Sequence, residues 1–313
     1  MLTKQDHGGG LDAAIATFGG ARDGWLDLST GINPTPYPIG AFSPRNWNEL
    51  PDHAAQQSLV AAARRFWQVP DGAAILAAPG LSSVIARLPA LSRSAGRVRI
   101  PAPTYNEHAA AFDAHGWEVV QDAPADACVL VHPNNPDGRL WDPSDADAPF
   151  QVIDESFCDT CPDRSLVALA DRPGTVVLKS FGKFWGLAGL RLGFAISRPD
   201  TIERLATMLG PWPVSGPALA VGTRALSDPG WAVRTRAQLQ QDSARLDRIV
   251  TARGAEIVGR TDLFRLYEVD DAQAWQDRLA RHHIWSRIFP YSGTWLRLGL
   301  PPADAWDRLE AAL

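Results

Sequence analysis

Between residues 97 and 196 short apolar runs recur: RVRI (97–100), EVV (118–120), CVLVH (128–132), FQVI (150–153), TVVL (175–178) and LGFAIS (192–197). Several are continuous rather than alternating, which is the pattern of strands covered on both faces. Segments of helical spacing separate some of them, 106–115 among these, and AAQQSLVAAARRFW (54–67) reads as a helix ahead of the first run. The pattern predicts an α/β fold with a mostly parallel central sheet and helices on both faces.

The texture changes from about residue 213. The stretch 216–253 is helical in spacing and rich in arginine, FRLYEV (264–269) and TWLRLGL (294–300) read as strands, and 272–283 and 303–313 read as helices. This predicts a smaller α+β domain. The first 40 residues are rich in Gly and Pro and are expected to drape over another unit. The expected organisation is therefore an N-terminal segment (1–40) contributing to the small domain and the active site, a large α/β domain (41–212) and a small C-terminal α+β domain (213–313).

Composition narrows the function classes. The 313 residues suffice for one or two domains, and 45% hydrophobic with 21% charged residues is ordinary for a globular protein. A formal charge of −5 argues against nucleic acid or an anionic membrane as the main partner. The N-terminus lacks the apolar run of a secretory signal and no stretch is apolar enough to span a bilayer, so a cytoplasmic location is expected. Three cysteines do not make a closed disulfide set. Cys158 and Cys161 have C-x-x-C spacing, but one such pair is half a zinc-binding set, and no metal is expected.

Candidate chemistry begins with the lysines. Two of the three in the chain, Lys179 and Lys183, stand four positions apart in VVLKSFGKFWGLAGLRLGF (176–194), while nearly every other cation is arginine. Lysine can lose its proton and act as a nucleophile, whereas arginine stays charged. Polar turns follow the proposed strands at their C-terminal ends: PAPTYNEH, PNNPDG, DESF and KSFGK. In a parallel sheet those ends share one edge, where α/β proteins place ligands, so Asn135, Asp154, Ser180 and Lys183 are expected to converge. An amine, a carboxylate and a phosphate cradle fit pyridoxal 5′-phosphate: the lysine bonds its aldehyde, the carboxylate holds the ring nitrogen protonated, and helix N-termini with an arginine take the phosphate.

At these residues the chain resembles the fold type I pyridoxal-phosphate enzymes, the aspartate aminotransferase superfamily. HPNNPDG is similar to the family's NPNNPTG, VIDESF to its aspartate strand, and SFGKFWGLAGLRLG to its lysine segment. The resemblance implies that Lys183 bonds the cofactor, Asp154 pairs with its ring nitrogen, Asn135 with its ring hydroxyl, and Ser180 and Arg191 with its phosphate. It assigns Gly80, Leu81 and Ser82 in APGLSSVI to the phosphate turn and stacks Tyr105 on the cofactor face. Lys179, at the strand end, is expected to be structural.

Within that superfamily the opening His7-Gly8-Gly9, followed by DLSTGINPTPYP (27–38) and PWPVSGPALAVGTRAL (211–226), resembles the threonine-phosphate decarboxylases of cobalamin biosynthesis. That likeness implies that His7, Gly8, Gly9, Asn33 and Asn135 help bind a phosphorylated amino-acid substrate and that Arg297 grips its carboxylate. It also implies a homodimer. Two other readings stand beside decarboxylation: an aminotransferase for a phosphorylated substrate such as histidinol phosphate, and a weakly active relative serving as a binding partner in cobalamin assembly. The sequence departs from the family pattern at Gly10, at Leu50 in ELPDH, at Phe157 and at Gly182.

Overall fold

In the computed structural model, which describes residues 7–92, 94–122 and 124–313, the chain divides into two units. Unit 1 gathers the N-terminal residues through Thr35, the tripeptide Pro136–Gly138 and Arg234–Leu313; unit 2 holds Pro36–Asn135 and Arg139–Val233. The N-terminal part of unit 1 contributes α1 (Leu11–Phe18) and β1 (Leu26–Asp27).

Unit 2 runs through α2 (Arg45–Asn48), α3 (His53–Trp67), β2 (Ala74–Ala78), α4 (Leu81–Ile85), β3 (Arg97–Arg99), α5 (Asn106–Asp113), β4 (Glu118–Val120), β5 (Ala127–Val131), β6 (Phe150–Asp154), β7 (Thr175–Ser180), β8 (Gly193–Ser197), α6 (Pro199–Leu209) and α7 (Gly216–Leu226). Its seven strands lie in the order β2-β8-β7-β6-β5-β3-β4. All neighbours pair parallel except those of β8, which runs antiparallel to both β7 and β2. Every residue of β5 and β8 is buried, as continuous apolar runs require of central strands.

The period-2 alternation of the strands sorts side chains onto two faces. Val129, Val152, Val176, Leu178 and Ala195 join Val84 and Ile85 of α4, Phe112 of α5 and Leu205 of α6 in one core. Each fully buried Val, Leu or Phe there contributes about 1.5–3 kcal/mol of transfer free energy. On the opposite face Trp67 of α3 meets Phe194 with ring centroids 4.9 Å apart.

The stretch expected to be helical from 216 to 253 is two helices, α7 and α8 (Pro229–Thr251). Pro229 supplies no N–H to continue α7, and the Asp228 carboxylate accepts the Trp231 N–H at 2.9 Å, starting α8 afresh.

The remainder of unit 1 comprises β9 (Glu256–Thr261), β10 (Phe264–Glu268), α9 (Ala272–Arg281), β11 (Ile284–Trp285), β12 (Arg287–Phe289), β13 (Ser292–Gly299) and α10 (Trp306–Ala312). Four strands form an antiparallel sheet, β12-β13-β10-β9, and β1 pairs parallel with β11. The N-terminal segment is tied in by backbone bonds from Leu26 to His283, from Leu28 to Trp285 and from Gly299 to Leu28. The tripeptide joins the same unit through the Arg260 N–H, which donates to the Asp137 carbonyl at 3.0 Å.

Candidate active site

Beyond the C-terminal ends of β5, β6 and β7 lies a pocket lined by Leu81, Ser82, Tyr105, Asn135, Asp154, Ser156, Phe157, Ser180, Lys183 and Arg191, among others. Gly80, the remaining cofactor residue expected from the sequence, stands against Arg191: a Cβ there would lie 2.6 Å from the Arg191 Nη2. With φ of +81°, position 80 also needs glycine's backbone freedom.

The two lysines separate cleanly. Lys179 sits on β7 between Leu178 and Ser180, so alternation turns it to the sheet face away from Leu178. There it is 2% exposed, in an ion pair with Glu155, 3.9 Å from Asp159 Oδ1 and 3.4 Å from Ser165 Oγ. Burial alone would lower its pKa, but the Glu155 and Asp159 charges overcome this and raise it, so the amine stays protonated. Lys183 lies past the end of β7, half-buried and facing the pocket, its Nζ 5.4 Å from the centroid of the Phe157 ring.

Aromatic packing fixes the Lys183 segment. Phe181, Phe184 and Trp185 are fully buried around it, Phe181 stacks on Trp185 at 5.0 Å and Trp185 on Trp231 at 5.2 Å. Asp159 accepts the indole N–H groups of both Trp67 (2.8 Å) and Trp185 (3.0 Å). A lysine carried between such anchors loses little further freedom on binding a ligand.

Asp154, the last residue of β6, is 2% exposed. Its Oδ1 accepts the Ser156 N–H at 3.0 Å and the Ser156 hydroxyl at 2.6 Å, and its Oδ2 accepts His108 Nε2 at 2.8 Å. Burial would push this carboxyl up, but the His108 bond and charge and the Ser156 bonds prevail and hold it below the usual carboxylate range. It is an anion at neutral pH.

Donor groups gather at the other end of the pocket. Leu81 and Ser82 begin α4, whose first N–H groups have no intrahelical partner. Arg191, in the left-handed region at φ +52°, brings its guanidinium to Gly80. Tyr105 caps α5, and burial, with the nearby Glu107 and Asp154 charges, pushes its phenol up to about 12, so it remains protonated.

Three contributors have no signature in the sequence reading. His108 stands 46 residues before the carboxylate it bonds. Ser156 lines the pocket beside it. Asn134 accepts the Thr104 hydroxyl at 2.6 Å and donates to the Pro103 carbonyl at 3.0 Å, joining the turns that carry Tyr105 and Asn135.

The remaining expected residues lie in unit 1. The Gly9 N–H donates to Ser29 Oγ at 2.6 Å, and a Cβ on Gly8 would come within 2.6 Å of the Ser29 carbonyl. Arg297 is 5% exposed and donates to that same carbonyl at 2.6 Å. Asn33 is buried and accepts the Thr35 N–H at 2.9 Å. The exposed His7 offers its carbonyl to Arg287 at 2.7 Å. Arg287, which the sequence reading did not single out, is the cross-strand partner of Arg297. Like charges directly opposite one another repel; here Arg287 lies over the Phe289 ring and Arg297 over the Phe264 ring.

His132, Glu155 and Cys158 bring ligand atoms within 4.8 Å of one another in unit 2. These atoms are already engaged. His132 Nδ1 accepts the Trp141 N–H and its Nε2 donates to the Arg164 carbonyl, Glu155 holds Lys179 and Ser165, and the Cys158 thiol donates to the Cys161 carbonyl. The cluster is part of the internal hydrogen-bond network behind the pocket.

Residues 25–312 match the family model for aminotransferase class I and II. The chain belongs to that family. Within it, the chain is 39% identical to a threonine-phosphate decarboxylase of Sinorhizobium sp., over 96% of this chain and 95% of that one. It is 37% identical to the threonine-phosphate decarboxylase of Pseudomonas aeruginosa PAO1, over 98% and 97%. Its fold matches the crystal structure of histidinol-phosphate aminotransferase from Sinorhizobium meliloti in complex with pyridoxal 5′-phosphate, with a TM-score of 0.83, 21% identity and coverage of 97% and 93%. Like other members of this aminotransferase family, the chain has an α/β large unit with a mixed central sheet.

Proposed function

We propose that the chain is a pyridoxal-phosphate-dependent decarboxylase that converts L-threonine O-3-phosphate to (R)-1-amino-2-propanol O-2-phosphate for cobalamin biosynthesis. The observation that carries this reading is the composition of one pocket: an amine (Lys183), a buried ionised carboxylate (Asp154) and a phosphate cradle (Gly80, Leu81, Ser82, Ser180 and Arg191). The near full-length relatives named threonine-phosphate decarboxylase support the choice of reaction.

The donor set fits pyridoxal phosphate. Asp154 retains acceptor capacity on Oδ2, the absence of a Cβ at Gly80 lets the Arg191 guanidinium approach its backbone closely, and Arg191 and Asp154 line one cavity. When bound, the cofactor supplies an electron sink for the electron pair of the broken Cα–carboxylate bond.

The protein's own residues do the rest. Asp154 holds a proton at the ring nitrogen, which keeps that sink deep. Arg191, Ser180 and the head of α4 hold the phosphate by charge-assisted hydrogen bonds. Tyr105, protonated, would hold the ring on one side, and Asn135 would bond the ring hydroxyl. In this proposal Arg297 is the candidate for the substrate carboxylate, and His7, Gly8, Gly9 and Asn33 are candidates for the substrate phosphate. After carbon dioxide leaves, the Lys183 ammonium returns a proton to Cα.

A cytoplasmic location belongs to the same proposal; no helix among the described residues is long and apolar enough to cross a membrane. The protein is assigned a homodimeric state, because one copy leaves Trp47 68% and Leu50 65% exposed, both large apolar side chains close in sequence. Light scattering that gave a fully active monomer would contradict this.

The deciding experiment supplies purified protein, pyridoxal phosphate and L-threonine O-3-phosphate and measures released carbon dioxide. Stoichiometric carbon dioxide and aminopropanol phosphate are expected. Amino transfer that depends on an added ketoacid, without carbon dioxide, would replace this reading with an aminotransferase, and neither product would leave the binding-partner role.

A further inference from the structure

The Asp154 carboxylate offers about four lone-pair positions. Oδ1 uses two, on the N–H and the hydroxyl of Ser156, and Oδ2 uses one, on His108 Nε2. His108 is fully buried and its Nδ1 meets no hydrogen-bond partner, so the ring donates through Nε2, and it packs edge-on against Tyr105. The hydroxyl of Ser156 is thus the only side-chain donor to Oδ1 among the described contacts of this carboxylate, and Ser156 itself lines the pocket.

We propose that Ser156 is a positioning residue for the reaction: its hydroxyl saturates Oδ1 of Asp154 and leaves the carboxylate one acceptor position, on Oδ2, for a protonated ring nitrogen. The inference rests on the reading that this pocket holds pyridoxal phosphate. A hydroxyl hydrogen bond to Oδ1 is stronger to the ionised carboxylate than to the carbonyl oxygen of the neutral acid that would form if the shared proton moved to Oδ2. The hydroxyl therefore keeps the shared proton on the ring side of the pair. The other titratable groups near this carboxylate are His108 on α5, bonded to Oδ2, and Tyr105, Lys183 and Arg191, which line the pocket.

The turn that presents Ser156 is local, made by residues 154 to 156. The same Asp-x-Ser arrangement occurs in unit 1, where Ser29 donates its N–H (2.9 Å) and hydroxyl (2.6 Å) to Asp27 Oδ1. In Ser156→Ala the backbone N–H bond to Asp154 remains, so the strand end keeps its shape while the side-chain donor is lost.

The test compares wild type, Ser156→Ala and Ser156→Thr, each reconstituted with pyridoxal phosphate labelled with nitrogen-15 in the ring. In Ser156→Ala the ring-nitrogen resonance is expected to move toward the unprotonated position, apoprotein affinity for the cofactor to fall about tenfold, and kcat to fall about ten- to a hundredfold with KM within about threefold, as loss of one charge-assisted bond implies. Ser156→Thr should restore all three. An unchanged ring-nitrogen resonance in Ser156→Ala, or failure of threonine to restore it, would overturn the proposal and reduce Ser156 to a turn residue. A wild-type protein that took up no cofactor would instead overturn the functional reading on which it rests.

Discussion

Replacing Lys179 by methionine separates structure from chemistry in the two-lysine segment. The substitution keeps most of the side-chain volume and removes a charge from a site where Lys179 is 2% exposed and the Glu155 side chain has no solvent exposure. Glu155 keeps the Ser165 hydroxyl at 2.7 Å and the Leu166 N–H but loses its counter-ion. Leaving one partner of a buried pair without the other costs about 3–5 kcal/mol, a fall in Tm on the order of 10 °C.

The pH dependence of that loss is specific. The lysine's pKa is raised on folding, so its contribution is complete below the unfolded value of about 10.4 and fades as pH climbs through the higher folded value. The stability gap between wild type and Lys179→Met should therefore be flat from about pH 6 to 9 and narrow above about pH 10.5. Urea unfolding followed by tryptophan fluorescence reports it well, because Trp67 and Trp185 both donate to Asp159 in the same network. Adding Glu155→Gln should recover part of the loss, since the two sites act through one pair. A Lys179→Met protein as stable as wild type, or one that folds normally yet no longer bonds the cofactor, would refute the assignment of the two lysines.

Other consequences follow from the same geometry. Gly80→Ala places a methyl 2.6 Å from Arg191 Nη2 at a positive φ; it should weaken pyridoxal-phosphate affinity at least tenfold in an equilibrium titration, and an unchanged affinity would remove Arg191 from the cradle. His108→Phe takes away the main group holding Asp154 low. The carboxyl's pKa should rise, and because that group is active only above its pKa, the acid limb of the kcat profile should move to higher pH; an unmoved limb would contradict the pairing. Among the cysteines, Cys161 is half-buried and the hydrogen bond from Cys158 lowers its pKa, whereas that same bond and burial raise Cys158 and burial pushes Cys128 up to about 12. Limited alkylation with mass mapping should label Cys161 first, and early labelling of Cys128 would contradict this.

The central strands were legible because they are covered on both faces, so β5 to β8 announce themselves as apolar runs, with polar turns after β5, β6 and β7. The turns then placed Asn135, Asp154, Ser180 and Lys183 on one edge without any tertiary information. β2 was not legible: its AILAA lacks the β-branched density of its neighbours, and its place beside β8 comes from an antiparallel pairing with residues more than a hundred positions away. His108 was hidden for a similar reason, since a histidine on a short helix carries no local mark of a carboxylate 46 residues on. Arg287 was hidden by register. It faces Arg297 only because β12 and β13 form a hairpin with an irregularity between Ile288 and Phe289, which spacing alone does not reveal. Lys179 shows what the alternation of one strand settles, as it and Ser180 are adjacent in sequence and serve opposite faces of the sheet.

The claim on which the functional account stands is that the amine of Lys183 bonds the cofactor aldehyde. Borohydride reduction of the protein loaded with pyridoxal phosphate, followed by proteolysis and mass mapping, tests it directly. A stable adduct on Lys183 and none on Lys179 is predicted; an adduct on Lys179, or an adduct that persists in Lys183→Ala, would contradict it.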